Sequence, residues 1–406
     1  IFIIFFMDKK TKEQKIKELL NRGTVDLIVK KDLEEKLKSG KKLRIKYGID
    51  PTGPKIHLGR ASTMQKLAKF QELGHKIVLI VGDFTAQIGD SSDKTKERPM
   101  LTYKEIKKNM ENYLPQIGRI FDVKKAEVHY NSEWLGKLNY FDICNQADNF
   151  SIAQILDRDN FSKRYKEGVR ISLREMLYPL MQGYDSVAIK SDIEIGGSDQ
   201  LFNILAGRVL QKAYNQKPQD IITFKLMDGT DGRKMSTSWG NIICITDQPN
   251  DIYGKIMSIK DELIIQYFEL ATDIPTREIK KMNDNLKNEK INPRDLKMNL
   301  GCEIVSMYYS KKEAEKAEQH FKNIFQKHQT PDKIKIFKVK IKKINIIDLL
   351  IKSKLCVSKS DARRMILQGG VKIDNKKITD SNKIIEINKE GKILQKGKRN
   401  FIKIIF

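Results

Sequence analysis

Two short segments, far apart in the chain, carry residue types suited to holding phosphate. The first is Asp50-Pro51-Thr52-Gly53-Pro54-Lys55-Ile56-His57-Leu58-Gly59-Arg60, which offers a hydroxyl, an imidazole, a glycine and a guanidinium in close succession. The second is Gly232-Arg233-Lys234-Met235-Ser236-Thr237-Ser238. There a glycine permits close backbone approach, Ser236 and Ser238 can bond phosphate oxygens, and Lys234 supplies a mobile point charge. Each segment alone has an ordinary reading: His57 as a helix cap or gap filler, the second as a solvated Ser/Thr/Lys loop. Together they point to one nucleotide site.

The first segment needs a particular scaffold. Leu43 to Ile49 is a short β-prone run, broken by Pro51 and Gly53-Pro54. Leu58, Ala61, Met64, Leu67 and Ala68 then recur at helical spacing up to a stop at Gly74. Ile77 to Val81 follows as the continuous apolar run that a strand covered on both faces requires. This is a strand, helix, strand unit, and such units bind nucleotides at the carboxyl ends of their strands. His57 belongs at that end.

The order and separation of the two segments resemble the signatures of class I aminoacyl-tRNA synthetases, a His-x-Gly-His motif followed by a Lys-Met-Ser-Lys-Ser loop. Two positions depart from that pattern. Arg60 replaces the second histidine and keeps a donor to phosphate on a longer, permanently charged side chain. Thr237 replaces the second lysine and removes a charge.

Further polar residues sit where a small substrate could be read. Tyr178, Gln182 and Asp185 share one helical face inside the apolar stretch Met176 to Met181, although Pro179 must either open that helix or kink it. Ile193 to Gln200 reads as a strand ending in Gly196-Gly197 and a polar turn, and Gly82 to Asp90 ends the Ile77 strand in the same way. These three segments resemble the bacterial tyrosyl-tRNA synthetase family. The resemblance implies that Asp185 accepts from the substrate phenol, that Tyr178, Gln182, Thr85 and Asp90 hold the α-ammonium group, and that Asp50 joins their polar floor. It also implies that Asp199 reaches the adenosine ribose and Gln200 the substrate carboxyl. Some relatives place another tyrosine before the Asp-Pro-Thr sequence, and Lys46 and Tyr47 compete for that place.

The chemistry so implied is adenylation of L-tyrosine by ATP, then transfer to tRNA(Tyr), with no covalent enzyme intermediate. Thr52 and His57 would stabilise the departing pyrophosphate from one side, and Lys234, Ser236 and Ser238 from the other. Gly59, Arg60, Gly197 and Met235 complete the expected ATP site. Magnesium accompanies the ATP phosphates, and the His and Cys positions form no zinc spacing. Tryptophanyl-tRNA synthetase shares the ATP signatures and is the alternative, as is a weakly catalytic RNA-binding paralogue.

With 406 residues, 32% of them charged, and a formal net charge of +25, the chain is long enough for two or three domains and suits a polyanionic partner. From Pro331 to Phe406 there are 21 Lys and Arg against 7 Asp and Glu, a net +14, so under a fifth of the chain holds over half the charge. An apolar stripe from Ile344 to Leu355, a Ser358-capped helix and a strand at Val371 to Asp374, turning at Asn375, resemble the S-four-like RNA-binding domain. Arg363, Arg364 and Lys372 are its expected phosphate contacts.

The fold class expected is α/β: a Rossmann-like parallel-sheet catalytic domain, then an α-helical domain, then a small α+β RNA-binding domain. The expected bounds are an N-terminal helical segment over 1–40, the catalytic domain over 41–228, the loop and helical domain over 229–330, a linker over 331–341 and the RNA-binding domain over 342–406. Helical stretches are expected at Ile252 to Ile259, Asp261 to Ala271 and Lys311 to His328; Ser91 to Pro99 reads either as a mobile surface loop or, as the resemblance implies, as a stretch approaching ATP and tRNA. Ile1 to Phe6 is too short for a membrane span, and Met7 is the expected start. Scattered Cys144, Cys244, Cys302 and Cys356 suit a reducing cytoplasm, and a homodimer is what the family implies.

Overall fold

The alternation of apolar runs with helical stripes produces one central sheet. The computed structural model describes residues 11–90, 100–325, 335–339, 341–374, 376–388, 391–397 and 400–406. The readings made for Ile1 to Met7, Ser91 to Pro99, His328 and Asn375 lie outside those residues.

Strands β1 (Thr24–Ile28), β2 (Arg44–Ile49), β3 (Lys76–Val81), β4 (Glu127–Tyr130), β5 (Ile193–Gly197) and β6 (Asp220–Phe224) form a sheet in the order β1-β6-β5-β2-β3-β4. All pairings are parallel except β1 with β6. The chain leaves β2 toward β3 and β4 on one side and returns to β5 and β6 on the other. This direction change opens a crevice outside the carboxyl ends of β2 and β5, the usual ligand position in such sheets.

The Leu58–Glu72 helix follows β2 and buries Leu58, Ala61, Met64, Leu67 and Phe70, then stops at Gly74, whose φ of +90° suits glycine. The Leu173–Ile189 helix starts at a Ser172 capping box closed by Glu175 and runs through Pro179 without interruption. Its Gly183 lies so close to the Leu201–Ala213 helix that a Cβ there would be 2.9 Å from the Ala206 carbonyl carbon. Helical packing, not the proline, decides the path.

Three boundaries differ from expectation. The span 1–40 is not only helical: between helices Lys12–Asn21 and Lys30–Lys38 it contributes β1, which extends the catalytic sheet. Arg22 ties the same segment to the region after β6. Its guanidinium donates to the carbonyls of Phe268, Glu269, Thr272 and Ile274 at 2.6–2.8 Å, satisfying carbonyls at the end of the Ile264–Ala271 helix. The catalytic and helical regions therefore belong to one compact unit, Ile1–Ala314, and the second unit is Glu315–Phe406. Finally, the expected linker contains strand Lys335–Lys338, which pairs parallel with Asn400–Ile405, and its Val339 is buried.

In the second unit, strands Lys376–Lys377, Val371–Ile373, Lys392–Lys396, Asn400–Ile405 and Lys335–Lys338 form a sheet in that spatial order. Helices Ile346–Lys352 and Lys359–Leu367, the latter capped by Ser358, supply Leu349, Leu350, Ala362 and Ile366 to a core with Val371, Leu394 and Ile404. Arg363 and Arg364 are exposed and Lys372 half-buried, with Arg364 paired to Asp361 at 2.8 Å.

Candidate active site

Asp50, one residue beyond β2, anchors the floor of a cavity of about 680 Å³. Its carboxylate accepts from Thr85 Oγ1 at 2.7 Å and from the Tyr178 hydroxyl at 2.9 Å. The approach is possible because Gly82, beyond β3, has no side chain: a Cβ there would lie 2.1 Å from Asp50 Oδ1 and 2.3 Å from Thr85 Oγ1.

Asp185 is a buried carboxylate of the cavity. It is 3% exposed, accepts from Trp134 Nε1 at 2.7 Å, and lies 3.4 Å from Asn131 Nδ2, which also donates to Thr85 at 3.0 Å. Burial pushes its carboxyl up to about 7, against the opposing pull of Lys46, Trp134 and Asn131. Nearby, Asp90 accepts from Gln200 Nε2 at 2.8 Å. The side chain of Gln182 lines the same cavity and donates to Glu194 at 3.2 Å.

The other end of the cavity carries donors and cations. His57 caps the Leu58–Glu72 helix by position, without a side-chain cap bond, and its buried Nδ1 has no hydrogen-bond partner. Burial, then the charges of Arg60 and Lys234, depress the imidazole to about 3, so it is neutral at ordinary pH and acts as a hydrogen-bonding group. Arg60 donates to Thr52 Oγ1 at 2.8 Å and to the Tyr113 hydroxyl at 2.7 Å. Lys234 bridges to Asp199 at 2.8 Å, which links the second segment to the turn after β5.

The loop around Lys234 is held by one buried side chain. Asn241 donates to Asp231 Oδ1 at 2.8 Å and to the Lys234 carbonyl at 3.1 Å, and its Oδ1 accepts from the Ser236 amide at 2.9 Å. Ser236 and Ser238 hydroxyls are 2.9 Å apart. Thr237 is exposed.

Every site residue named from the sequence in the first unit lines this one cavity: Asp50, Thr52, His57, Gly59, Arg60, Thr85, Asp90, Tyr178, Gln182, Asp185, Gly197, Asp199, Gln200, Lys234, Met235, Ser236 and Ser238. Lys46 and Tyr47 take opposite faces of β2. Tyr47 lines the cavity and is buried, its phenol pushed up to about 12 by burial, whereas Lys46 packs against the Gln182 carbonyl and Ser186 of the Leu173–Ile189 helix, on the side that also carries Asp185. Trp134, Asn131, Tyr113 and Asn241 were not named from the sequence. The scarcity of tryptophan, two in the chain, is the one signal that could have flagged Trp134.

Comparison with known proteins gives the family. Residues 37–326 fit the family described as tRNA synthetases class I (W and Y), and residues 326–404 fit the Tyrosine--tRNA ligase SYY-like C-terminal domain. The tyrosine–tRNA ligase of Thermotoga maritima is 46% identical over 395 residues, covering 97% of this chain and 98% of its own length. The chain belongs to the class I tyrosyl-tRNA synthetases. A second tyrosyl-tRNA ligase, from Carboxydothermus hydrogenoformans, is 45% identical over 399 residues, with 96% of this chain and 97% of the relative covered. Among solved tyrosyl-tRNA synthetases, the C-terminally truncated Aspergillus nidulans mitochondrial protein shares the fold with a TM-score of 0.62 at 22% identity, over 78% of this chain and 95% of that one. The Archaeoglobus fulgidus protein, solved with L-tyrosine, gives 0.61 at 20% identity, over 76% of this chain and all of that one.

Proposed function

We propose that this chain activates L-tyrosine with ATP and passes the tyrosyl group to the terminal adenosine of tRNA(Tyr). The observation that carries this reading is the polarity of one cavity. Asp50, Asp90 and Asp185 gather around Tyr178, suited to an ammonium group and a phenol donor, while His57, Arg60 and Lys234 lie near one another, suited to phosphate. The membership established above gives the substrate pair.

In this reading the tyrosine carboxylate attacks the α-phosphorus of ATP in line, and pyrophosphate leaves. The protein contributes orientation and donors where negative charge grows. Asp185 accepts from the phenol; Tyr178, Gln182, Thr85 and Asp90 surround the ammonium group; Gln200 faces the carboxyl and Asp199 the ribose. Thr52, positioned by Arg60, and neutral His57 meet the departing pyrophosphate from one side, Lys234, Ser236 and Ser238 from the other. Lys234 must exchange its Asp199 partner for phosphate to do so. In this reading magnesium enters with the ATP phosphates, held by them and by water.

The second unit, with Arg363, Arg364 and Lys372, takes the tRNA through phosphates. Association of two copies is supported by Tyr140, Phe141, Ile152, Tyr165 and Leu173, each at least 66% exposed within one stretch of the first unit. Sedimentation equilibrium tests this, with a monomer at micromolar concentration counting against it. Among the described residues no helix is long and apolar enough to cross a membrane; the cytoplasm is the proposed location.

Tyrosine-dependent exchange of pyrophosphate into ATP, compared with tryptophan and with no amino acid, tests the function. Exchange with tyrosine alone is expected; a folded protein without it would be the inactive RNA-binding paralogue.

A further inference from the structure

Lys46 on β2 and Glu194 on β5 are neighbours across the parallel ladder, in register, with ammonium and carboxylate 3.0 Å apart and side chains 0% and 1% exposed. A buried ion pair of this kind adds little stability compared with apolar residues of similar volume, so its presence in the middle of the sheet asks for another explanation. The surrounding contacts supply one. Lys46 Nζ also donates to the Gln182 carbonyl and to Ser186 Oγ, both at 2.7 Å. Glu194 accepts from Lys46 and Gln182 Nε2 on one oxygen, and from Ser186 Oγ and Gln219 Nε2 on the other. Four donors fill the capacity of the carboxylate, so it has none left for a ligand although its side chain reaches the cavity wall.

We propose that the Lys46–Glu194 pair is a positioning device for Gln182: the acceptor-only carboxylate takes the amide NH2 and leaves the amide oxygen to receive the α-ammonium group of the substrate. A glutamine amide is symmetric in shape and opposite in sense at its two ends; only a neighbour with no donor of its own fixes which end faces outward. A neutral glutamine at position 194 could accept or donate and would leave both orientations available. A carboxylate buried to this extent requires a counter-charge, and Lys46 provides it while fixing the Gln182 backbone through the carbonyl. The same ammonium group attracts the neighbouring Asp185 carboxylate. Lys46 and Glu194 act through Gln182 and touch no reacting atom. The inference rests on Gln182 receiving the ammonium group, as proposed above.

The test compares KM for tyrosine in pyrophosphate exchange with the competitive Ki of 3-(4-hydroxyphenyl)propanoate, which keeps the phenol and carboxylate and lacks the ammonium group. Glu194→Gln preserves volume; the double variant K46M/E194M removes the pair together and leaves no unpaired buried charge. In both, KM for tyrosine should rise about tenfold while Ki of the desamino analogue and kcat stay within about twofold, the value of one lost charge-assisted contact. A parallel rise of KM and Ki, or no rise in either, in variants whose near-ultraviolet circular dichroism is native, overturns the proposal. Gln182→Ala separates the two levels. If it changes neither constant, the ammonium role of Gln182 is wrong. If it raises KM selectively while the Glu194→Gln and K46M/E194M proteins do not, only the positioning role of the pair is wrong.

Discussion

Trp134 Nε1 donates to Asp185 Oδ1 at 2.7 Å, so a buried carboxylate of the cavity is oriented from behind by an indole. The indole fixes the carboxylate plane and leaves acceptor capacity for a phenol. If Asp185 receives the phenol as proposed, a substrate lacking the hydroxyl leaves that acceptor unpaired, and discrimination against phenylalanine of about 10⁵ is expected from such a site.

Asp185 should govern two opposite pH trends. Its carboxyl is raised from 3.8 to about 7 in the folded protein, so between those values the folded state binds the extra proton. Stability from this group is therefore present at low pH and lost as pH rises through about 7, while the ionised acceptor that tyrosine needs appears over the same range. The expected outcome is kcat/KM for tyrosine rising toward pH 7 and an Asp185→Asn protein that loses this rise. Asp185→Asn should also lower kcat/KM by about 1.5–3 kcal/mol equivalent. Pyrophosphate exchange from pH 5 to 9 and urea melts of both proteins check it; identical pH profiles would count against it.

His57 should work uncharged. With its imidazole depressed to about 3, the folded state refuses a proton that the unfolded chain accepts near 6.5, so stability from this site falls as pH drops below that value. His57→Gln keeps a neutral donor and should retain most activity, whereas His57→Ala should lose about 2–4 kcal/mol of transition-state stabilisation. Steady-state exchange kinetics distinguish them, and equal losses in the two variants would contradict a donor role.

Lys234 stands without the second lysine of the family loop, with exposed Thr237 in its place. Lys234→Ala should cost about 2–4 kcal/mol in kcat with little change in KM for tyrosine. Thr237→Lys should fold normally, because the position is exposed, and should raise kcat. A rapid-quench measurement of adenylate formation reads both; an unchanged rate in the Thr237→Lys protein would show that Lys234 already suffices.

Arg22 is predicted to matter for stability alone. Arg22→Ala would remove the guanidinium donor from the carbonyls of Phe268 and Glu269 in the Ile264–Ala271 helix and of Thr272 and Ile274 just beyond it, and should cost about 2–4 kcal/mol. Denaturant midpoints give the loss, and unchanged exchange kinetics below the transition confirm that the site is untouched.

Salt should separate the two half-reactions. If the basic second unit binds tRNA through phosphates, tyrosylation should fall with a log–log slope of about −0.7 to −0.9 per phosphate contact, while tyrosine-dependent exchange changes little. Equal slopes would place tRNA elsewhere. Arg363→Ala, at an exposed position, should reduce the tyrosylation slope by about one.

The catalytic unit was legible where local pattern and tertiary position coincide. β2, the Leu58–Glu72 helix and β3 are marked by run length, period and glycine stops, and these same signals put the polar residues that follow β2, β3 and β5 at the carboxyl ends of their strands. Trp134, Asn131 and Asn241 were not legible, because each acts by bridging elements that only folding brings together. β1 and strand Lys335–Lys338 escaped for a related reason. They are short edge strands whose partners, such as Ile222 for Leu27 and Ile402 for Lys335, lie far along the chain, so no local period announces them.

Gly82 carries a consequence for how this site can vary. Every missense change of a single base in a glycine codon installs a Cβ, and at this position any Cβ would collide with both Asp50 and Thr85. Any one-step missense mutation at position 82 therefore forces the Asp50 and Thr85 side chains to shift. The contact between Asp50 and Thr85 is thus guarded by a residue that contributes no side chain to the cavity, and new amino-acid specificities must be explored at other walls.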